Sequence, residues 1–524
     1  MICNNCYINL FSNIYIIYCH YNNNLWEVKE TMNRKIIGIL IVTLLIATAL
    51  PLVSGGTTVL LNTIIVPDEY PTIQEAINNA NNEDTIFVRA GTYYENLIVD
   101  KLINLIGENK ETTIIDGSEN GHVVRLIVDY ITITGFTIRN SGLLPSPREE
   151  YGGITIESSH NNISGNIISD NFIGIHSLSS NNNIIHNNIF FNNGIYLYGY
   201  HPLNYIHDIQ GNIVNGKPLY YYKNKNDFTI PSDAGQVILV RCNNVMISDL
   251  NINSTDYAIQ LYECSDCTLQ NSIIENSNWV GIGMWVSHFN TIQGNTLTSS
   301  KAYGIVPVSS TNNEFKNNII NGDTWIGIGF IGDCHYNDIS GNTIDIESSH
   351  TILEHPSTGI WLRAYCSTNN IIDNTISNCH IGLWIQSSRW NIIEGNLIKD
   401  CHIISSQQSN TGIIDSIPAD SEFGATPLTS RGAGVYLVDT GSNEFRFNTL
   451  KNNDIGVIMF RSWFDNIRLN NIQDSTTGID FISLLSLGYY PLNYWGSSIT
   501  GPIFKSNKLF FLVPWSPIKI SEAP

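Results

Sequence analysis

At Cys379-His380, and again one repeat later at Cys401-His402, a thiol and an imidazole stand side by side. Sulfur with imidazole is a donor set for a soft metal such as copper. Two such cysteines stacked in neighbouring turns would also suit a disulfide, or simply a pair of core thiols beneath exposed histidines. Copper would ask for more soft ligands: Cys264-Ser265-Asp266-Cys267 is a C-x-x-C that no second one accompanies, and the chain has only five Met. The acids Asp323, Asp333 and Glu354 lie near Arg363 and His355 in the sequence. A glycosidase needs two carboxyl groups flanking the scissile bond. A polysaccharide lyase needs a base, for which Arg363 or His355 would serve, and a cation such as Ca²⁺ to neutralise a uronate. Neither set is fixed by spacing alone, so these are the catalytic candidates and Cys379, His380, Cys401 and His402 the metal candidates. No sequence motif demands a cofactor.

Whatever these residues do, a repeat positions them. A glycine followed by alternating apolar residues recurs, as in Gly281-Ile282-Gly283-Met284, Gly359-Ile360-Trp361-Leu362 and Gly382-Leu383-Trp384-Ile385. The period is about 20 to 23 residues. Between these segments lies an Asn-rich turn, as in Asn369-Asn370-Ile371-Ile372-Asp373-Asn374. A unit of that length without helical periodicity is a coil of short strands, stacked so that Ile and Val face inward and the backbone pairs with the coils above and below. The fold class is therefore all-β, a right-handed parallel β-helix solenoid with an N-terminal capping helix. Asn at the corners tolerates left-handed backbone and bonds to Asn of the next coil. Thr72-Ile73-Gln74-Glu75-Ala76-Ile77 supplies the capping helix, with Thr72 and Glu75 as a capping box and Ile73, Ala76, Ile77 and Ala80 on one face. Cys242, Cys264, Ser287, Ser309, Cys334, Cys366 and Ser387 recur near one turn, as small buried residues of a corner do.

Strand side chains alternate, so the residue after each inward one points out. That sets Tyr196, Tyr198, Tyr262, Trp285, Trp361, Trp384, Tyr436 and Phe460 on an outer face, with Gly283 and Gly329 between them. Such a file calls for a cover or a ligand, and the C–H faces of sugars suit Trp and Tyr. Insertions near 199–236, 345–358 and 405–432 interrupt the period. With Arg363, Asp323 and Asp333 they would wall a groove floored by Trp361 and Trp384.

The chain carries 26 Lys and Arg against 46 Asp and Glu, a net charge of −20, and only 14% charged residues. No basic face is available for phosphates, which excludes nucleic acid as partner, and like charge disfavours a polyuronate. Asn supplies the missing polarity, at roughly one residue in eight. Met32 to Lys35, the apolar run Ile36 to Leu50 and the small residues that follow read as a signal peptide over 32–54. An uncleaved signal is the one route to a membrane. Trp26 to Lys29 can be encoded by a ribosome-binding sequence ahead of Met32, so residues 1–31 read as a misassigned start. The cap and first coils then occupy 55–110, the repeats 111–485, and a C-terminal cap with Asn493-Tyr494-Trp495-Gly496 the stretch 486–524.

Tyr70-Pro71-Thr72-Ile73-Gln74-Glu75-Ala76-Ile77, Val214-Asn215-Gly216-Lys217-Pro218-Leu219-Tyr220 and Asn493-Tyr494-Trp495-Gly496 together resemble the NosD-type β-helix proteins. That group lies within the pectin-lyase-like fold and its carbohydrate-binding and sugar-hydrolase repeats. The resemblance implies export to the periplasm or cell surface, and either copper-site maturation or a sugar ligand. Four functions follow as expectations: binding of a polysaccharide or surface glycan along the aromatic face, polysaccharide cleavage as a lyase or glycoside hydrolase, copper handling, and a structural surface-layer or adhesin role. The last predicts no ligand and a covered aromatic stripe.

Overall fold

Short apolar runs punctuated by Asn, Gly and Ser make strands of mostly three to six residues, too short to bury anything alone, and only stacking closes their hydrogen bonds. The structure, a computed structural model, describes residues 6–11, 14–21, 24–30, 62–142, 150–347, 356–402, 432–481, 487–489, 493 and 504–506. The signal segment 32–54 and nearly all of 486–524 lie outside them. Residues 1–60 form one unit, in which Cys6–Phe11, Ile14–Tyr21 and Asn24–Glu30 pair as an antiparallel sheet. Residues 61–524 form the other, a right-handed parallel β-helix.

The helix Ile73–Asn79 begins it. Thr72 Oγ1 accepts the Glu75 amide at 3.2 Å, and the Glu95 carboxylate takes the Ile73 and Gln74 amides at 3.0 and 2.9 Å. Ile73, Ala76, Ile77 and Ala80 are buried, the face the spacing predicts. Seven strands from Thr63–Val66 to Asp208–Gln210 make one wall of the first solenoid, and five from Leu97–Val99 to Ile195–Tyr198 a second. The third wall runs from Gly91–Tyr94 to Ile213–Val214.

There the chain reverses. Val214 pairs antiparallel with Lys217 across Asn215-Gly216, whose φ values of 50° and 79° fit a two-residue hairpin. The strand Lys217–Lys223 then starts a second solenoid, with an eleven-stranded wall from Asn226–Thr229 to Leu487–Tyr489 and a nine-stranded one from Asn251–Asn253 to Asn471–Gln473. The expected loop near 199–236 therefore carries the strands Asp208–Gln210, Ile213–Val214, Lys217–Lys223 and Asn226–Thr229, and the single run of coils expected over 111–485 is two runs with two cores. Along the shared sheet Ile238, Val240 and Tyr262 pack into the first core, while Val237, Leu239, Ile259 and Leu261 pack into the second. The alternation of strand side chains lets one sheet serve both. Within the other two expected insertions, residues 348–355 and 403–431 lie outside the described residues. The ladder passes both places without a gap, from Ile326 to Thr358 and from Ile381 to Ala433.

Two devices fix the coil spacing. The repeat glycines pack so closely that a Cβ on Gly281, Gly327, Gly359 or Gly382 would meet the next glycine's carbonyl oxygen at 2.6–2.7 Å. Buried Asn ladders, such as Asn295, Asn318, Asn342 and Asn374, link amide to side chain from coil to coil. At the hairpin, a Cβ on Gly216 would meet nothing within 4 Å, so Gly216→Ala carries only the backbone cost of left-handed geometry. We expect it to lower unfolding stability by about 1 kcal/mol, read from the midpoint of urea denaturation.

Candidate functional site

The aromatic stripe points away from the second core as expected, but solvent does not reach it. Trp361, Trp384, Tyr436, Tyr262 and Tyr196 are at most 3% exposed. Tyr262 is held between the two solenoids, stacked on Tyr205 at 4.1 Å and Trp285 at 4.7 Å, with its hydroxyl donating to the Leu197 carbonyl. Tyr196 stacks on Tyr257 at 4.0 Å and on His176 at 5.1 Å. Burial pushes the His176 imidazole down to about 4, so it is neutral at pH 7. Trp285 and Tyr198 are half-buried beside them. Further along, Trp361 and Trp384 stack at 4.8 Å and Tyr436 follows at 5.5 Å, in a second apolar layer with Trp325, Ile381 and Ile458. Alternation gives the side of the sheet, not what lies over it. As a ligand surface this stripe is corrected: it is a second layer of packing.

The catalytic candidates do not converge. Asp323 lines a polar pocket with Asn278, Ser299 and Lys301. Asp333 lies beyond the other end of Ile326–Ile331, a strand that spans about 20 Å, far outside the carboxyl separations of glycosidases. The Arg363 guanidinium lies over the Trp361 ring, 5.2 Å from its centroid. Glu354 and His355 lie outside the described residues.

The metal candidates separate in the same way. Cys379 and Cys401 are core thiols whose sulfurs lie 3.6 Å apart, and a Cβ on Gly382 would sit 3.3 Å from Cys401 Sγ. His402 instead bonds Asp454 at 2.9 Å. Cys242, Cys264, Cys334 and Cys366 belong to the small buried corner column, with one adjustment: Ser310 and Ser388 occupy it, not Ser309 and Ser387, while the Cys267 amide bonds Asn290 at the start of an Asn ladder.

What solvent does reach is a different line of aromatics at the corner between the first and second walls of the second solenoid. An open groove of about 730 Å³ there is lined by Tyr336, Tyr365 and Trp390, which are 65%, 57% and 59% exposed. His335, Arg389, Asp333 and Asp439 supply its polar rim. Tyr336 and Trp390 immediately precede the buried ladder residues Asn337 and Asn391, so each ring is held out from a corner locked by side-chain hydrogen bonds. Both have left-handed backbone, φ 57° and 56°, as does Tyr365 at 65°. That conformation costs a non-glycine residue roughly 1–2 kcal/mol, and Asn or Asp bear it best. A bulky ring at such a corner gains little packing to offset the cost, which is the pattern of a functional position. The signal was legible as an aromatic directly before a ladder Asn, but strand alternation drew attention to the wrong file. The two carboxylates of the groove are not a hydrolytic pair, because Asp333 and Asp439 lie three coils apart, about 14 Å.

Two family profiles match the chain. NosD, described as periplasmic copper-binding protein, covers residues 203–352, from just before the chain reversal into the middle coils of the second solenoid. The right handed beta helix region covers residues 287–484. Comparison with curated protein sequences finds no match. Among solved structures, the A-module of the Azotobacter vinelandii mannuronan C-5 epimerase AlgE6 is 13% identical, covering 84% of this chain and 95% of its own, with a TM-score of 0.31. The alginate lyase from Paenibacillus sp. str. FPU-7 is 15% identical, over 58% of this chain and 99% of its own, at 0.26. The Yersinia enterocolitica family 28 exopolygalacturonase is 11% identical, over 82% and 83%, at 0.27.

Among the described residues the copper of the first profile finds no matching donor set. Among the described residues no three His, Cys, Asp or Glu side chains gather as a metal site. The Cys264 and Cys267 thiols point at backbone carbonyls, and Met284 and Met459 are core. With a parallel solenoid, a capping helix and both profiles falling on its coils, the chain is a right-handed parallel β-helix protein that is similar to NosD over residues 203–352.

Proposed function

We propose that the protein binds an extended, neutral polysaccharide or surface glycan in the open corner groove, outside the cytoplasm. The observation that carries this reading is the exposure of Tyr336, Tyr365 and Trp390 along one groove with charged and hydroxyl side chains at its edge. Aromatic faces stack on the apolar faces of sugar rings, and the polar edge meets their hydroxyls. The net charge of −20 argues for a neutral chain over a uronate. The separation of Asp333 and Asp439 favours binding over hydrolysis. The signal segment at 32–54 and the periplasmic description of the NosD profile support the location.

A structural role is the second reading, and the burial of the Trp361–Trp384 stripe favours it, since a covered stripe is what that role predicts. Affinity pull-down on insoluble polysaccharides followed by calorimetry separates the two. Tyr336→Ala combined with Trp390→Ala is expected to weaken binding roughly 100-fold, at about 1.4 kcal/mol per lost stack. Tyr94→Ala, an exposed aromatic of the first solenoid, should leave affinity unchanged. Retention of neutral glycans by neither wild type nor variants would leave the structural role standing.

A further inference from the structure

The corner column that holds Tyr336 and Trp390 extends beyond the groove in both directions, and its composition alternates. The wall strands that follow each corner pair in strict register, Thr291 with Glu314, Asp338, Asn370, Ile392, Glu444 and Asn466 in turn. Two residues before each of these, the column reads Phe289, Asn312, Tyr336, Thr368, Trp390, Ser442 and Phe464. All seven have φ between 56° and 59°. An aromatic therefore stands on every second coil, with a small polar residue on each coil between. The four rings are 59%, 65%, 59% and 70% exposed. Their spacing survives both long interruptions of the sequence, after residues 347 and 402, because it is set by the ladder and not by the number of residues per coil.

Neighbouring coils lie about 4.8 Å apart, so the rings repeat at about 9.6 Å along the solenoid axis, in one line and with one backbone geometry. A ligand that uses all four must repeat its apolar face at that interval. In a β-(1→4)-linked pyranose chain each sugar is turned by half a turn relative to the last. Every second ring then presents the same face, and one sugar advances the chain by about one coil. We propose that the groove, read as a polysaccharide site, selects a twofold, ribbon-like β-(1→4)-linked neutral glycan laid parallel to the solenoid axis. Phe289, Tyr336, Trp390 and Phe464 stack on alternate sugars, and Asn312, Thr368 and Ser442 bond the edges of the turned sugars between them. An α-(1→4) chain coils and a β-(1→3) chain curves, so neither keeps four rings in register.

The test uses the whole chain and soluble oligosaccharides, read by calorimetry: cello-, manno- and chito-oligosaccharides against malto- and laminari-oligosaccharides of equal length. At least one β-(1→4) hexasaccharide is expected to bind about ten-fold more tightly than the malto and laminari hexasaccharides. Its affinity should climb from tetramer to hexamer to octamer. Phe289→Ala with Phe464→Ala is expected to remove the gain beyond the tetramer while leaving tetramer binding, which rests on Tyr336 and Trp390. These substitutions lie on exposed corners, and circular dichroism confirms that the variant is folded. Equal affinity across linkages, or affinity that stops rising at the trimer, overturns the register while insoluble-polysaccharide binding keeps the groove reading alive. Absence of binding to every carbohydrate overturns both.

Discussion

Asp256→Ala is expected to lower unfolding stability by about 3 kcal/mol and to split the urea transition in two, because this side chain joins the solenoids. Asp256 precedes the strand Tyr257–Tyr262 of the second solenoid, yet its carboxylate accepts the Gly174 and Gly194 amides of the first at 2.7 and 2.8 Å, and Asn193 Nδ2 at 3.0 Å. Beside it the last strand of the five-stranded wall, Ile195–Tyr198, has no further strand to pair with. Gln236 takes its place, receiving the Ile195 amide at 3.0 Å and donating to the Ile195 carbonyl at 2.8 Å, and Gln260 Nε2 donates to the same carbonyl at 2.7 Å. An exposed edge strand is thereby closed by side chains of the neighbouring solenoid. Without Asp256, three buried donors lose their acceptor, and the two cores lose one of their polar links.

The same carboxyl gives a pH dependence whose sign is fixed. Burial pushes it up to about 6 from an unfolded value near 4, so the folded state holds this proton more tightly than the unfolded chain. The contribution is fully present below pH 4, declines as pH rises to 6 and is flat above, with a span on the order of 3 kcal/mol. Urea midpoints of wild type and Asp256→Ala measured between pH 4 and 7 should therefore diverge toward the acid end in favour of the wild type. A constant difference over that range would contradict the raised pKa.

Asn342→Ala is expected to cost still more, about 4 kcal/mol, in the interior of a ladder. Asn342 Oδ1 accepts both the amide and Nδ2 of Asn318 at 3.0 Å, while its own Nδ2 donates to the Phe315 carbonyl at 2.8 Å and to Asn374 Oδ1 at 2.9 Å. Asn is the residue that meets this demand, since it carries a double acceptor and a double donor on one short side chain. Asn342→Asp keeps the acceptor but sets carboxylate oxygens against two oxygens it formerly donated to, and should be destabilised comparably. Full retention of the urea midpoint in either variant would mean that the ladder contributes nothing net over solvation.

The repeat made the solenoid legible before any coordinate, because a strand residue's side is decided locally: Ile360 and Leu362 face in and Trp361 out, as the alternation requires. The capping helix was legible for the same reason, from Thr72 and one apolar face. The reversal at Asn215-Gly216 was also written in the sequence as a hairpin turn, yet its consequence was not, since a turn fixes the direction of the next strand and not which face of the sheet becomes the interior. For Trp361, Trp384 and Tyr262 the alternation leaves open a cover or a ligand; they are covered, because burial on the outer face depends on distant segments. The carboxylates Asp323 and Asp333, ten positions apart in sequence, are parted by a whole strand.

By itself, then, the sequence determined the coil, the ladder residues, the cap and the side of each wall on which a residue stands, all consequences of period and local hydrogen bonding. Only the tertiary structure decided which outward residues meet water. Phe289, Tyr336, Trp390 and Phe464 are scattered in the sequence at unequal intervals, and they fall into one line because parallel backbone pairing, indifferent to the length of the chain between coils, sets them at equal steps.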